Sequence, residues 1–209
     1  AGALTQVSYL VGAMLLGVVG PRLDSGRLLL ITGTLTTSLL FTMAWLDNTT
    51  IMIFVLTVMA ASAAISWGSV VELVTRYGRP DRTATNLSIA SSGTAWGYSV
   101  NGLIILLIVP LLGWRSGWMA ASVLGLITLV VTLRLLKSVR SQSQDQDIDA
   151  TFAMGTRQLF KTVLRERTAF LACLILLLVG ASTITFTTWL NTYLAELSLP
   201  PALGGYTWG

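Results

Sequence analysis

Long stretches without a charged residue alternate with short polar islands along the chain. The uncharged runs are residues 1–21, 28–46, 48–71, 83–114, 116–133 and 168–195. Each run has about the 20 residues that a helix needs to cross roughly 30 Å of hydrocarbon. None of them alternates polar and apolar residues with the period of two that is typical of barrel strands. The pattern therefore predicts six spanning helices in an all-α, polytopic helical membrane bundle.

The composition supports a membrane protein and argues against several other classes. Hydrophobic residues make up 54% of the chain and charged residues 11%, whereas about a quarter of the residues in soluble domains are charged. The net charge of +4 comes from bases that flank the apolar runs, so we expect no nucleic-acid partner. The chain has no histidine and a single cysteine, Cys173. We therefore expect no metal, no cofactor and no enzymatic activity.

The basic residues predict the orientation of the spans. All but one of the thirteen lie in alternate loops, and the exception is Arg115. Because Lys and Arg accumulate in cytoplasmic loops, the loop at 20–27 is predicted to be cytoplasmic and the first span to enter from outside. The chain starts with membrane-type sequence and no basic flank, which is unlike a signal peptide. We expect both ends to lie inside a longer protein.

Small residues are concentrated in three of the predicted spans. The first has Gly12, Gly17 and Gly20, and the third is almost entirely Ala, Ser and Gly over 60–69. The fourth has a Gly-x-x-x-Gly pattern over 93–97. Small residues let helix backbones approach closely in lipid, so these spans are predicted to contact other helices. A purely static packing role and a role in motion both stay open.

A change of composition divides the chain. Residues 141–149 are polar and acidic, which is typical of a flexible linker. A basic amphipathic segment follows and is predicted to lie at the membrane surface. We therefore predict five spans over 1–138, a cytoplasmic linker over 139–167 and the start of a second part over 168–209.

Three short motifs are similar to those of one transporter family. Gly20 and Asp24 match the first half of the signature between helices 2 and 3 of the major facilitator superfamily, although Ser25 stands where a base is expected. Residues 113–115 read Gly-Trp-Arg, which resembles the external motif before helix 6. Glu72 and Arg79 have a spacing that is similar to that of the sugar-porter branch. The resemblance implies twelve helices in two halves, of which this chain covers helices 2 to 7 and the entry to helix 8.

The resemblance also implies a substrate site between the halves, lined by helices 1, 4, 7 and 10. On this chain the candidate residues are Ser62, Ser66, Trp67, Tyr98, Asn101, Thr183, Thr187, Trp189 and Asn191. Asn101 and Asn191 are the strongest polar signals, because a buried amide in lipid needs a partner. A Ser or Thr hydroxyl can instead bond to its own helix. Tryptophan is more often an interfacial anchor than a substrate contact.

A cytoplasmic charge cluster is the second candidate site. Its members are Gly20, Asp24, Arg27, Glu72, Arg76, Arg79 and Arg82. Asp24 is predicted to cap the following helix, and Glu72 is predicted to pair with Arg27, Arg76 or Arg79. Such a cluster would hold the two halves together on the inside. The alternative is that these charges only fix the topology.

The predicted function is secondary active or facilitative transport of a small organic solute by alternating access. The expected setting is a bacterial inner (plasma) membrane, with a monomeric protein in a lipid bilayer and a small-molecule substrate. No acid lies at mid-membrane depth in a complete span, so proton coupling and facilitated diffusion both stay open. The alternative is a non-transporting polytopic membrane protein, either a structural or assembly subunit or a membrane-embedded enzyme scaffold.

Overall fold

The computed structural model describes residues 2–20, 23–142 and isolated positions between 165 and 197. The helices are α1 (Gly2–Val19), α2 (Ser25–Met43), α3 (Thr49–Tyr77), α4 (Thr83–Leu103), α5 (Val109–Leu112) and α6 (Trp114–Gln142). No strand occurs among the described residues, and five helices are long and apolar enough to cross a membrane. The prediction of an all-α membrane bundle is confirmed.

Two parts of the prediction concern residues that are mostly not described. The sixth predicted span, 168–195, and the segment 143–164 lie outside the described residues apart from the isolated positions. The chain divides into two units, Ala1–Asp149 with Trp208–Gly209 and Ala150–Thr207. The proposed linker boundaries stay a prediction, although α6 continues to Gln142, four residues beyond the predicted end of the first part.

Polar caps, and not the limits of the uncharged runs, set where α2 and α3 begin. As predicted, Asp24 caps α2, and its Oδ1 accepts from the Gly26 N–H at 3.1 Å. Asn48 caps α3 by accepting from the Thr50 N–H at 2.9 Å. A side-chain acceptor satisfies one of the N–H groups that a helix start leaves unpaired. Helix α2 therefore begins three residues before the uncharged run 28–46. Helix α3 begins inside the run 48–71 and continues past its end, so that it includes Glu72.

The contact between α1 and α3 is very close. A Cβ added at Gly12 would overlap the backbone of Ala61, and one added at Gly68 would overlap the Leu16 side chain. The Ser8 hydroxyl also donates to a backbone oxygen of α3 at 2.6 Å. Lipid is as apolar as a side chain, so helix association in a membrane depends on such van der Waals contact and on interhelical hydrogen bonds.

Helix α2 packs between α3 and α6. On the α6 side, the Ser122 hydroxyl donates to the Thr37 carbonyl oxygen at 3.2 Å. A Cβ at Gly125 would lie 2.9 Å from the Thr37 Oγ1, and one at Gly33 would lie 3.3 Å from Leu129. Helices α1, α2, α3 and α6 therefore form a packed group in which each contact is made at small residues.

The fourth span is interrupted near its predicted external end. A π-helical segment, Ile104–Ile108, separates α4 from α5. The Val109 N–H reaches back to the Ile104 oxygen, and Pro110 follows directly. Proline lacks an N–H and its ring crowds the preceding turn, which is a common cause of such a widened turn. The uncharged run 83–114 predicted one uninterrupted helix at this place.

A glycine makes the tight turn between α5 and α6 possible. Gly113 has a φ of +83°, a region that residues with a Cβ rarely adopt. Its N–H donates to the Val109 oxygen at 2.8 Å, and α6 begins at the next residue. The backbone therefore explains the glycine of the Gly-Trp-Arg motif.

Candidate functional site

Helix α3 has three faces, and α1 covers the first of them. Thr57, Ala61 and Gly68 meet α1, in contacts with Ser8, Gly12 and Leu16 respectively. The residue numbers rise together on the two helices, so α1 and α3 run parallel. Ala61 is therefore covered by the backbone of α1 at Gly12, and Gly68 is covered by the Leu16 side chain, so neither position faces a substrate.

The second face of α3 meets α2 and carries two of the predicted site residues. The Ser66 hydroxyl donates to the Thr32 Oγ1 at 2.7 Å. The Ser62 hydroxyl donates to the Thr32 carbonyl oxygen at 3.2 Å and accepts from the Thr36 Oγ1 at 3.1 Å. Ser62 is only 3% exposed. The structure therefore places both serines in a helix-to-helix hydrogen-bond network, and their hydroxyls are satisfied within it.

The third face of α3 is the most exposed of the three among the described residues, although Ala60 on it is half-buried. It carries Ala60, Ala63 and Trp67, which lie about a third of a turn from each packed face. Ala63 is exposed and Trp67 is 37% exposed. Of the three predicted site residues on α3, only Trp67 lies on this face.

Helix α1 contributes Tyr9 to the same side. Counting about 100° per residue from Gly12, which points at α3, Tyr9 points in nearly the same direction as the third face of α3. Tyr9 is 40% exposed.

Helix α4 brings two predicted site residues to its surface. Tyr98 is 53% exposed, and Asn101 is exposed one turn further along. The Asn101 side chain makes no hydrogen bond within the part of the chain that the structure describes. An amide at this depth needs water, a solute or another helix.

The remaining substrate candidates fall in the second part of the chain. These are Thr183, Thr187, Trp189 and Asn191, and they lie outside the described residues. Their place in a site stays a prediction.

The cytoplasmic charge cluster is not assembled among the described residues. Arg76 stacks on the neighbouring Tyr77, with its Cζ 5.9 Å from the ring centroid. Arg82 pairs weakly with its neighbour Asp81 at 3.9 Å. The carboxylate of Glu72 makes no ion pair with any described residue. The predicted contacts of Glu72 with Arg27, Arg76 or Arg79 are therefore not present.

The other members of the cluster have mainly local roles. Gly20 follows the end of α1, and its carbonyl oxygen accepts from the Leu23 N–H at 3.3 Å. Asp24 caps α2, while Arg27 and Arg79 are exposed. Long side chains in water gain little from one fixed pairing, because its entropy cost offsets most of the attraction.

An ion pair at the opposite end joins two turns far apart in sequence. The Arg115 guanidinium donates to Asp47 Oδ1, which links the α5–α6 turn to the α2–α3 turn. Arg115 also lies over the Trp114 ring, 5.4 Å from its centroid. The single base outside the predicted cytoplasmic loops therefore has a carboxylate partner.

Sequence reasoning missed Tyr9 and the threonines of α2. Tyr9 is the one aromatic residue in the first span and lies away from both of its ends, which separates it from an interfacial anchor. Thr32 and Thr36 share one face of α2 four residues apart. That spacing signals a polar strip on a membrane helix, although it does not identify the partner helix.

The comparisons agree with this architecture. A family model described as Major Facilitator Superfamily matches residues 1–209. Neither a curated protein nor a solved structure matches the chain. The family match covers the five described spans and the segment that follows them. The chain is therefore an integral, multi-pass membrane protein that belongs to the major facilitator superfamily, whose members transport solutes across membranes.

Proposed function

We propose that the protein carries a small organic solute across the membrane by alternating access. The observation that carries this proposal is the third face of α3. Two faces of this helix are packed against α1 and α2, whereas Ala63 and Trp67 on the third face are exposed among the described residues. A cavity wall needs such a face on a firmly held helix.

The packed group provides the rigid body that alternating access requires. Helices α1, α2, α3 and α6 are joined by glycine contacts and by hydroxyl-to-backbone bonds. Such an interface resists small adjustments, so the group is suited to rocking as a unit. Two exposed polar groups of α4, Tyr98 and Asn101, lie at mid-span depth, which supports a wet or solute-filled space beside them.

The membrane and the oligomeric state proposed for the transporter are those expected from the sequence. We propose a monomer in the inner (plasma) membrane of a bacterium. The central parts of the five described spans carry no acidic residue, so a proton-carrying carboxylate would have to lie elsewhere in the protein. Uptake with and without a pH gradient separates proton coupling from facilitated diffusion.

The proposal is tested by uptake into proteoliposomes that contain the full-length protein. A panel of anions, amino acids, sugars and aromatic amines identifies a transported solute. Trp67→Ala is expected to lower its uptake severalfold, because the substitution removes the largest side chain of the third face of α3. Trp45→Ala is the matched control, since Trp45 is exposed near the predicted external turn. Absence of uptake for the whole panel, or equal effects of the two variants, contradicts the proposal.

The charges of the predicted cytoplasmic side are proposed to act in gating as well. Two substitutions of Asp24 separate this role from helix capping. Asn caps a helix as well as Asp does, whereas Ala costs about 1 kcal/mol. A gating role predicts that Asp24→Asn and Glu72→Gln both lower transport while the amount of folded protein is unchanged. If Asp24→Asn transports normally and only Asp24→Ala is impaired, Asp24 is a cap alone.

A further inference from the structure

Two buried hydroxyls of the packed group have no hydrogen-bond partner in the part of the chain that the structure describes. They are the Oγ atoms of Ser25 on α2 and Ser69 on α3. Ser25 is 3% exposed and Ser69 is 0% exposed. Burial removes the bonds that a hydroxyl makes to bulk water, so a buried hydroxyl is costly unless another group replaces them. Each of these two oxygens therefore needs a partner.

Both serines lie on the faces through which α2 and α3 contact each other. Thr32 of α2 accepts hydrogen bonds from Ser62 and Ser66 of α3. Ser25 precedes Thr32 by seven residues, which is about two helical turns, so it lies on the same side of α2. Ser69 follows Ser62 by seven residues and lies on the same side of α3. The two serines therefore continue this contact toward its predicted cytoplasmic end.

The register of the helices separates the two serines by the length of a bridge. The bond from Ser66 to Thr32 fixes a common level on the two antiparallel helices. At 1.5 Å per residue, Ser69 lies about 4.5 Å beyond this level and Ser25 about 10.5 Å beyond it. The difference of about 6 Å is too long for a direct hydrogen bond. It is close to the roughly 5.6 Å that two successive bonds of about 2.8 Å span.

We infer that a bound water molecule bridges the hydroxyls of Ser25 and Ser69. Water donates and accepts, so it satisfies a serine hydroxyl in either orientation. The first turn of a helix also leaves N–H groups without an intrahelical partner, and Ser25 is the first residue of α2. Buried waters typically make about three hydrogen bonds to such groups. Leu28, which is 7% exposed, lies between the levels of the two serines and helps to separate the site from bulk water.

The chemistry of the site favours a neutral ligand over an ion. Asp24 precedes Ser25 directly and its carboxylate caps α2, so an anion beside Ser25 would be repelled. Hard cations take about six oxygen ligands, and two serine hydroxyls are too few. The inference concerns the packed group itself and does not depend on the transported solute.

The first test is the thermal unfolding of the full-length protein in detergent, followed by tryptophan fluorescence. With a bridging water, Ser25→Ala and Ser69→Ala each lower the midpoint by about 2 °C, because each substitution leaves the other hydroxyl and the water with one bond fewer. The double variant loses less than the sum of the two single losses. Ser99→Ala is the control, since the Ser99 hydroxyl donates to the Ala95 oxygen of its own helix at 3.2 Å.

The sign of the change decides between a bridged and an unpaired hydroxyl. Alanine at the position of a hydroxyl that has no partner removes a costly group and raises the midpoint. Raised midpoints, unchanged midpoints or strictly additive losses therefore overturn the inference.

The second test observes the water directly and does not depend on how the variants fold. A structure of the full-length protein at a resolution that shows ordered water is expected to have one within about 2.7–3.2 Å of both serine oxygens. Serines that bond to each other or to carbonyl oxygens of their own helices, with no water between them, overturn the inference. So does a density at this place that appears only when sodium is present, since the ligand would then be a cation.

Discussion

Helices α3 and α4 have similar small-residue content but differ in how they pack. In α3, small residues contact α1 and α2 so closely that an added Cβ at Gly68 would overlap a neighbour. In α4, a Cβ at Gly93 or Gly97 would meet nothing within 4 Å among the described residues. A small-residue pattern therefore predicts that a helix can be approached closely. It does not predict which helix approaches.

The largest expected effect breaks the α1–α3 contact. Gly12→Ala is predicted to destabilise the protein by about 3 kcal/mol, because the new methyl group overlaps the backbone of Ala61, which cannot rotate away. Gly17→Ala is the matched control on the same helix, since it meets nothing within 4 Å. Thermal unfolding in detergent, followed by tryptophan fluorescence, measures both. Equal midpoints for the two variants would show that this contact is not tight.

The next prediction applies the same substitution to α4. Gly93→Ala and Gly97→Ala are expected to be neutral or to stabilise by up to about 1 kcal/mol, because alanine is the better helix former and the space is open. Unfolding midpoints of the full-length protein provide the measurement. A loss of stability as large as that of Gly12→Ala would mean that another helix covers the glycine face of α4. Helices α3 and α4 would then not differ in packing.

The spans could be predicted from the sequence because each is a run of about 20 residues without a charged side chain. Uncharged runs located all five described spans, and the capping residue Asp24 located the start of α2. The π-helical segment at 104–108 could not be predicted, since Pro110 permits a kink, a bulge or a break. Its form depends on how the flanking helices pack.

The faces of the helices were harder to predict than their limits. In a soluble protein, an apolar stripe marks the buried side of a helix. In a membrane, lipid-facing and protein-facing side chains are both apolar, so that contrast is weak. The sequence therefore predicted a single site that contains Ser62, Ser66 and Trp67. In the structure the two serines bond to α2, and only Trp67 lies on the third face of α3.

A smaller effect separates a hydroxyl that joins two helices from one that bonds within its own helix. Ser62→Ala is predicted to cost about 0.6 kcal/mol, because Thr36 and the Thr32 oxygen lose their partner on α3. Ser92→Ala is the control on α4, where the hydroxyl donates to Ile89 of the same helix. A double-mutant cycle of Ser62→Ala with Thr36→Ala should give a measurable coupling energy. Additive effects would contradict a direct bond.

The smallest expected effect concerns the ion pair between Asp47 and Arg115. The Asp47–Arg115 pair ties the turn after α5 to the turn between α2 and α3. Both side chains are largely exposed, so a double-mutant cycle of Asp47→Asn and Arg115→Gln should give a coupling of about 0.5 kcal/mol at low salt. The coupling should fall as salt is added, because exposed charges are screened.

The pair of Asp81 and Arg82 is the control for this link, since its members are sequence neighbours and tie no separate elements. Neutralising Asp81 should leave the unfolding midpoint unchanged. If the Asp47–Arg115 coupling is zero at low salt, the ion pair does not join the first turn of α6 to the turn between α2 and α3. A coupling well above that of an exposed pair would instead show that the Trp114 ring shields the ions from water.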